Sequence, residues 1–140
     1  MCVGFADLSH FDRLVTTMGD EKAIEILQEA LQAAGDAITR HSGRILKYIG
    51  DALLFSLADP HDAISAAREI AAYRRQAGAL TLGYRVSIAT GEVIVAEIGH
   101  PSYVVEDILG ETVNRAAKLL RQAAQSDTGI ALCEETQKYL

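Results

Sequence analysis

Asp7 and Asp51 are the residues of this chain best placed to do chemistry, because each closes a short apolar run, Val3-Gly4-Phe5-Ala6-Asp7 and Lys47-Tyr48-Ile49-Gly50-Asp51. A strand end is rigid, and two carboxylates held there offer hard oxygen ligands in fixed positions, as a divalent cation used in phosphoryl chemistry requires. Taken singly, Asp7 also fits the cap of a following helix, and Asp51 a turn. Whether they share a cation depends on the elements that carry them.

Those elements are legible in the periodicity. Cys2 to Leu8 is an apolar run of strand length, followed by Ser9 as a helix N-cap. From Asp20 to about His41, Ile24, Leu27, Leu31, Ala34 and Ile38 recur at helical spacing and predict a long amphipathic helix ending near Gly43. Arg44 to Ile49 and Ala52 to Leu57 predict two strands joined by the two-residue loop Gly50-Asp51. Asp59-Pro60 opens a second helix, with Ala63, Ile64, Ala67, Ile70 and Ala71 on its core face and an end near Gly78. Tyr84 to Thr90 alternates as a strand, Val93 to Ile98 is a further apolar run, Glu111 to Gln125 is a third helix and Ile130 to Cys133 a last strand. The final residues, Tyr139-Leu140, read as helix.

Strand, helix, two-strand hairpin, helix, strand is the split order of ferredoxin-like folds, so the chain is expected to be α/β, an α+β sandwich with a βαββαβ core. In that order the hairpin's second strand inserts beside the first strand of the chain, which brings Asp7 and Asp51 to one sheet edge. Two helices cover only one face of such a sheet, so the other face is expected to need a partner.

Composition narrows the function. The 140 residues allow one domain with one substantial core, and 49% hydrophobic with 23% charged residues is ordinary globular usage. Thirteen basic against nineteen acidic residues give a net charge of -6, with the basic ones scattered, which argues against a nucleic-acid surface. Cys2 and Cys133 have no CxxC spacing and are expected to be free thiols in a reducing compartment. Neither a membrane span nor a signal peptide is visible, so direct membrane contact is not expected and a cytoplasmic setting is. The four histidines show no metal-ligand spacing, and there is no GxxxxGK[ST] run.

Four segments carry a family resemblance: Phe5-Ala6-Asp7-Leu8-Ser9, Gly43 to Asp51, Arg85 to Glu92, and Asp107-Ile108-Leu109-Gly110-Glu111-Thr112-Val113-Asn114. Together, in this order, they resemble the catalytic domain of class III nucleotide cyclases. The resemblance implies the cyclase variant of the ferredoxin-like sandwich. It also implies a homodimer that converts a nucleoside triphosphate to a 3′,5′-cyclic monophosphate and pyrophosphate.

By the same resemblance Asp7, Asp51 and the backbone carbonyl of Leu8 are expected to hold two Mg²⁺ or Mn²⁺ ions. Lys47 resembles the family's adenine-reading lysine and falls on the strand face of Ile45 and Ile49, with Asp107 as its companion. A carboxylate accepts a hydrogen bond from the adenine amino group, whereas guanine presents a carbonyl there, so the pair implies ATP as substrate. Read without the family, Lys47 is an edge-strand lysine whose stem packs while its charge reaches water. Asn114 matches the ribose-positioning asparagine, and Lys118, four residues on, shares its helix face. Lys118 stands where the family has an arginine that stabilises transition-state charge. It keeps the charge but lacks the planar fork. Arg115 and Arg121 lie close by on the same helix, and these basic residues also fit a solvated helix face. His10 stands where a glycine is common, in the path expected for the triphosphate.

In the family each active site is shared between two subunits, so a monomer is expected to be inactive. The abrupt ends, and the absence of the C-terminal strands usual in such domains, lead to the expectation that residues 1–140 are a single domain of a longer chain. The second reading is a weakly active or silent cyclase-homology domain that binds nucleotide or dimerises as a regulatory module. A diguanylate cyclase is disfavoured, because Ile49-Gly50-Asp51-Ala52 replaces the hairpin signature of that family.

Overall fold

A computed structural model describes residues 1–140. Its elements in chain order are β1 (Cys2–Leu8), α1 (Phe11–Met18), α2 (Asp20–Arg40), β2 (Arg44–Ile49), β3 (Ala52–Leu57), α3 (Pro60–Ala72), β4 (Arg74–Ala77), β5 (Leu80–Thr90), β6 (Ile94–His100), β7 (Tyr103–Leu109), α4 (Glu111–Gln125), β8 (Ile130–Leu132) and α5 (Glu134–Gln137).

Six strands form the main sheet in the order β2-β3-β1-β5-β4, with β8 parallel to β5, while β6 and β7 form a separate two-stranded ribbon. β1 lies antiparallel between β3 and β5, as the split βαβ order requires. The expected ferredoxin-like α+β core is therefore present. Gly4 faces Phe55 across the β1–β3 pair, and a Cβ there would overlap the phenyl ring, so glycine is what lets this central crossing close.

Alternation along β1 assigns the two faces. Cys2, Ala6 and Leu8 join Leu14 of α1, Ile26 and Ile38 of α2, and Ile70 of α3 in the larger core. Val3 and Phe5 join Leu54 and Ala89, with Ala116, Leu119 and Ala123 of α4, in a second core. The second face is thus not left open: the third helix, α4, covers it over β1 and β5. The element that remains uncovered is the β6–β7 ribbon, where Ile94 is 64%, Val95 54% and Tyr103 75% exposed.

Several boundaries differ from the sequence expectations. Ser9 is not a helix cap, because the sheet claims it: its N–H donates to Gly83 O at 2.8 Å and its Oγ accepts from Gly83 N–H at 3.1 Å. His10 caps α1 instead, with left-handed backbone (φ 63°) and no side-chain hydrogen bond. The helix expected after Ser9 is present as α1, one residue later than that cap implies. α3 stops at Ala72 rather than near Gly78, because Arg74–Ala77 pairs with β5 around a turn in which Gly78 takes φ 61°. Asp59 caps α3 as expected, accepting from His61 N–H at 2.8 Å. The run from Val93 becomes β6 with a second, unforeseen strand, β7, folded back on it. The last helix ends at Gln137, short of Tyr139-Leu140.

Both cysteines are free and buried. Despite their sequence separation they meet at one residue: Cys2 Sγ lies 3.4 Å from Thr90 Oγ1, and Cys133 Sγ accepts the Thr90 N–H at 3.3 Å.

Candidate active site

The β1–β3 register places Asp7 directly opposite Ala52, one residue beyond Asp51. Leu8 N–H donates to the Asp51 carbonyl at 3.4 Å, tying the end of β1 to the hairpin turn. The turn is tight because Gly50 adopts φ 61°, a conformation that costs glycine little. Asp7 and Asp51 are thereby neighbours at one sheet edge, and both are half-buried.

Their electrostatics fit cation binding. Burial, then the nearby Asp51 charge, push the Asp7 carboxyl above the usual carboxylate range, and Arg85 opposes the shift. Arg85 faces Asp7 across the β1–β5 pair and makes no ion pair of its own. Burial raises Asp51 as well, and Asp12 of α1 adds to the rise. Two crowded carboxylates favour a bound hard cation, and the facing Arg85 opposes it. No group of three or more His, Cys, Asp or Glu side chains lies together, so the protein offers two carboxylates plus backbone carbonyls. Such a set suits Mg²⁺ or Mn²⁺ completed by water and phosphate oxygens better than a closed structural metal site.

Lys47 donates to Asp107 Oδ2 at 2.8 Å, an ion pair between β2 and β7. This hydrogen bond holds the Asp107 carboxyl below the usual range. Lys47 shares its face with Ile49, as expected, but not with Ile45. A bulge between Ile45 and Lys47 shifts the β2–β3 register, so Ile45 faces Phe55 in the larger core while Lys47 faces Leu54 on the α4 side. The extra residue inverts the alternation that sequence spacing assumes. Nearby, Arg44 approaches Glu106 at 3.9 Å, a second contact between β2 and the ribbon.

Asn114 and Lys118 are exposed on α4. Neither side chain makes a hydrogen bond within the chain, and Lys118, Arg115 and Arg121 form no ion pair. They share the α4 surface without touching the aspartates. His10 is exposed at the α1 N-terminus, beside the β1 end.

Grooves of about 930, 760 and 500 Å³ lie elsewhere: between β6 and the α4 N-terminus, between α2 and β2, and between α3 and β8. None of these three is lined by Asp7 or Asp51. Sequence reasoning missed Arg85 and Tyr84 as neighbours of this edge; both fall inside a quoted or adjacent strand run, but only the β1–β5 register reveals what they face.

Residues 1–140 match the family model described as the adenylate and guanylate cyclase catalytic domain. An adenylate cyclase of Streptomyces coelicolor is 30% identical over 138 residues, covering 94% of this chain and 33% of that protein. An uncharacterized protein of Mycobacterium tuberculosis is 31% identical over 122 residues, covering 87% and 30% respectively. The chain thus spans about a third of the length of these curated relatives. Among solved structures, a bacterial light-regulated adenylyl cyclase superposes with TM-score 0.83 at 21% identity, over 99% of this chain and 44% of that one. The guanylate cyclase domain from Catenaria anguillulae in complex with GTP gives 0.74 at 18%, over 99% and 80%. At these identities the structural matches establish the fold.

Proposed function

Because the chain belongs to the family of adenylate and guanylate cyclase catalytic domains, we propose that it is an adenylate cyclase domain. It converts ATP to 3′,5′-cyclic AMP and pyrophosphate at sites shared between two copies. The observation that carries this reading is the juxtaposition of Asp7 and Asp51 by the β1–β3 register.

Each residue has a role its geometry supports. Asp7 and Asp51, with the Leu8 carbonyl, would hold two Mg²⁺ or Mn²⁺ ions, which when bound would supply positive charge for the triphosphate and lower the pKa of the ribose 3′-hydroxyl. Asp107 accepts from the adenine 6-amino group, and Lys47, already fixed on Asp107 at 2.8 Å, keeps that carboxylate ionised and aimed. The pair favours ATP, since guanine offers a carbonyl where adenine offers the amino group. Asn114 orients the ribose and Lys118 meets the developing negative charge.

Asn114 and Lys118 are exposed on α4 without partners; a homodimer in which one copy's α4 faces the other's aspartates completes both halves. The exposed apolar β6–β7 ribbon supplies surface for that pairing. No helix is long and apolar enough to cross a membrane, and the reading places the domain in the cytoplasm, where ATP is. Residues 1–140 are read as one domain.

Lys118 favours a second reading, a weakly active or silent domain that binds nucleotide as a regulatory module. An ammonium cannot grip a phosphate with two parallel hydrogen bonds as a guanidinium does. The deciding experiment is cyclic nucleotide production from ATP and from GTP, with Mg²⁺ or Mn²⁺, by the purified protein and by Lys118→Arg. Cyclic AMP from ATP, raised about tenfold or more in the variant, is expected. No product from either protein overturns the enzyme reading and leaves the regulatory one.

A further inference from the structure

The hydroxyl of Tyr84 takes no part in the roles above. Tyr84 is 3% exposed, and its Oη is the buried side-chain polar atom left without a hydrogen-bond partner. A buried hydroxyl with no partner forfeits its hydration, so in native proteins such an atom marks an ordered water, an ion or a functional contact.

Its position is specific. Tyr84 stands directly opposite Leu8 across the β1–β5 pair, so it sits beneath the end of β1 that carries Asp7. Its ring leans on Tyr73, with centroids 5.7 Å apart and planes at 51°. Burial and then the surrounding phenols and carboxylates, Tyr73, Asp51, Tyr48 and Asp7, push the phenol far above the usual tyrosine range. It is therefore a neutral donor. Leu8 and Tyr84 share the face of the larger core, whereas Asp7 alternates to the other face with Phe5. Asp51, at the turn, accepts the Leu8 N–H on its carbonyl at 3.4 Å and so stands next to the residue that Tyr84 faces.

We propose that Tyr84 is a positioning residue for Asp51: its hydroxyl donates to an ordered water that in turn donates to the Asp51 carboxylate. This fixes the direction in which Asp51 offers its lone pairs to a divalent cation. The inference rests on the reading of Asp7 and Asp51 as the cation-holding pair. Hydrogen bonds behind a metal ligand orient it, and their loss typically weakens metal affinity tenfold or more.

Tyr84→Phe removes one oxygen and keeps the ring. Mn²⁺ binding is measured calorimetrically, with and without 3′-deoxy-ATP, which lacks the attacking hydroxyl, for the wild type, Tyr84→Phe and Asp51→Ala; thermal unfolding is recorded without metal. The wild type is expected to bind, Asp51→Ala to lose binding, and Tyr84→Phe to bind about tenfold more weakly. The unfolding temperature of metal-free Tyr84→Phe is expected to equal or exceed that of the wild type. Unchanged Mn²⁺ affinity in Tyr84→Phe, with Asp51→Ala defective, overturns the role of Tyr84 and leaves the cyclase reading intact. Weaker binding accompanied by a lower metal-free unfolding temperature assigns Tyr84 to packing and also overturns it. No Mn²⁺ binding by the wild type under either condition overturns both.

Discussion

At the scale of single residues, the site is a set of charges whose neighbours decide their value. Asp7 and Asp51 are pushed up by burial, Asp107 is drawn down by Lys47, and Lys118 stands alone in solvent. A carboxyl held low in the folded protein binds its proton less tightly than in the unfolded chain. The Asp107 contribution to stability is therefore fully present above the unfolded carboxylate value, about pH 4, and is lost as pH falls through the lower folded value. Because Lys47 is 43% and Asp107 16% exposed at the side chain, solvent screens the pair. The contribution is expected to be under about 1 kcal/mol. Urea unfolding of wild type and Asp107→Asn at pH 6 and pH 3 checks this: the stability gap should shrink at the lower pH. Asp7 and Asp51 titrate alike in both proteins, so their opposite trend cancels. Asp107→Asn is also expected to erase most of the preference for ATP over GTP in kcat/KM, because its amide can present either a donor or an acceptor to the base.

At the scale of elements, β1 is the piece on which everything turns. It carries Asp7, crosses Phe55 at Gly4, and separates the two cores by alternation. Gly4→Ala is expected to destabilise the protein by about 1–3 kcal/mol, since the phenyl ring of the fully buried Phe55 has to move to admit the methyl group. The midpoint of urea unfolding measures it, and an unchanged midpoint would show that the ring yields freely. The strand bounds of β1, β2 and β3 and the whole of α4 agree with the periodicity, because each is set by near neighbours: alternation, a glycine at the turn, apolar residues at helical spacing. β4 and β7 were not legible. Arg74–Ala77 is a polar run that becomes a strand only because β5 is long enough to pair with it, and Ser9 is drawn from capping into the sheet by Gly83.

At the scale of the whole molecule, the proposed site takes its metal-holding half from one copy and its α4 half from the other, so that reading predicts activity only in the pair of chains. Asp51→Ala and Asn114→Ala are each expected to be inactive alone, with cyclic AMP production recovering on mixing to at most about a quarter of the wild-type rate at equal protein. Random pairing makes half the dimers mixed, and each mixed dimer has one intact site of two. Rates of the mixture no higher than those of the single variants would exclude shared sites. Charge substitution on the ribbon, such as Ile94→Asp, is expected to lower both the dimer fraction in sedimentation and the specific activity together, without lowering the unfolding temperature of the monomer, since Ile94 is 64% exposed.

By itself the sequence determined the ferredoxin-like order, the Asp7–Asp51 proximity and the family, because strand alternation, turn chemistry and helix periodicity are local and the split βαβ order leaves little freedom in how they pair. Tertiary structure decided what depends on long-range register. One bulge parted Lys47 from Ile45, and α4 closed the face expected to lie open. The β1–β5 pair set Arg85 against Asp7 and Tyr84 against Leu8, and Thr90 joined two cysteines from opposite ends of the chain. A single inserted residue leaves composition and periodicity almost unchanged yet changes the face of the side chains beyond it, and a strand four residues longer adds pairings that no local pattern announces, so only the folded pairing reveals which groups meet.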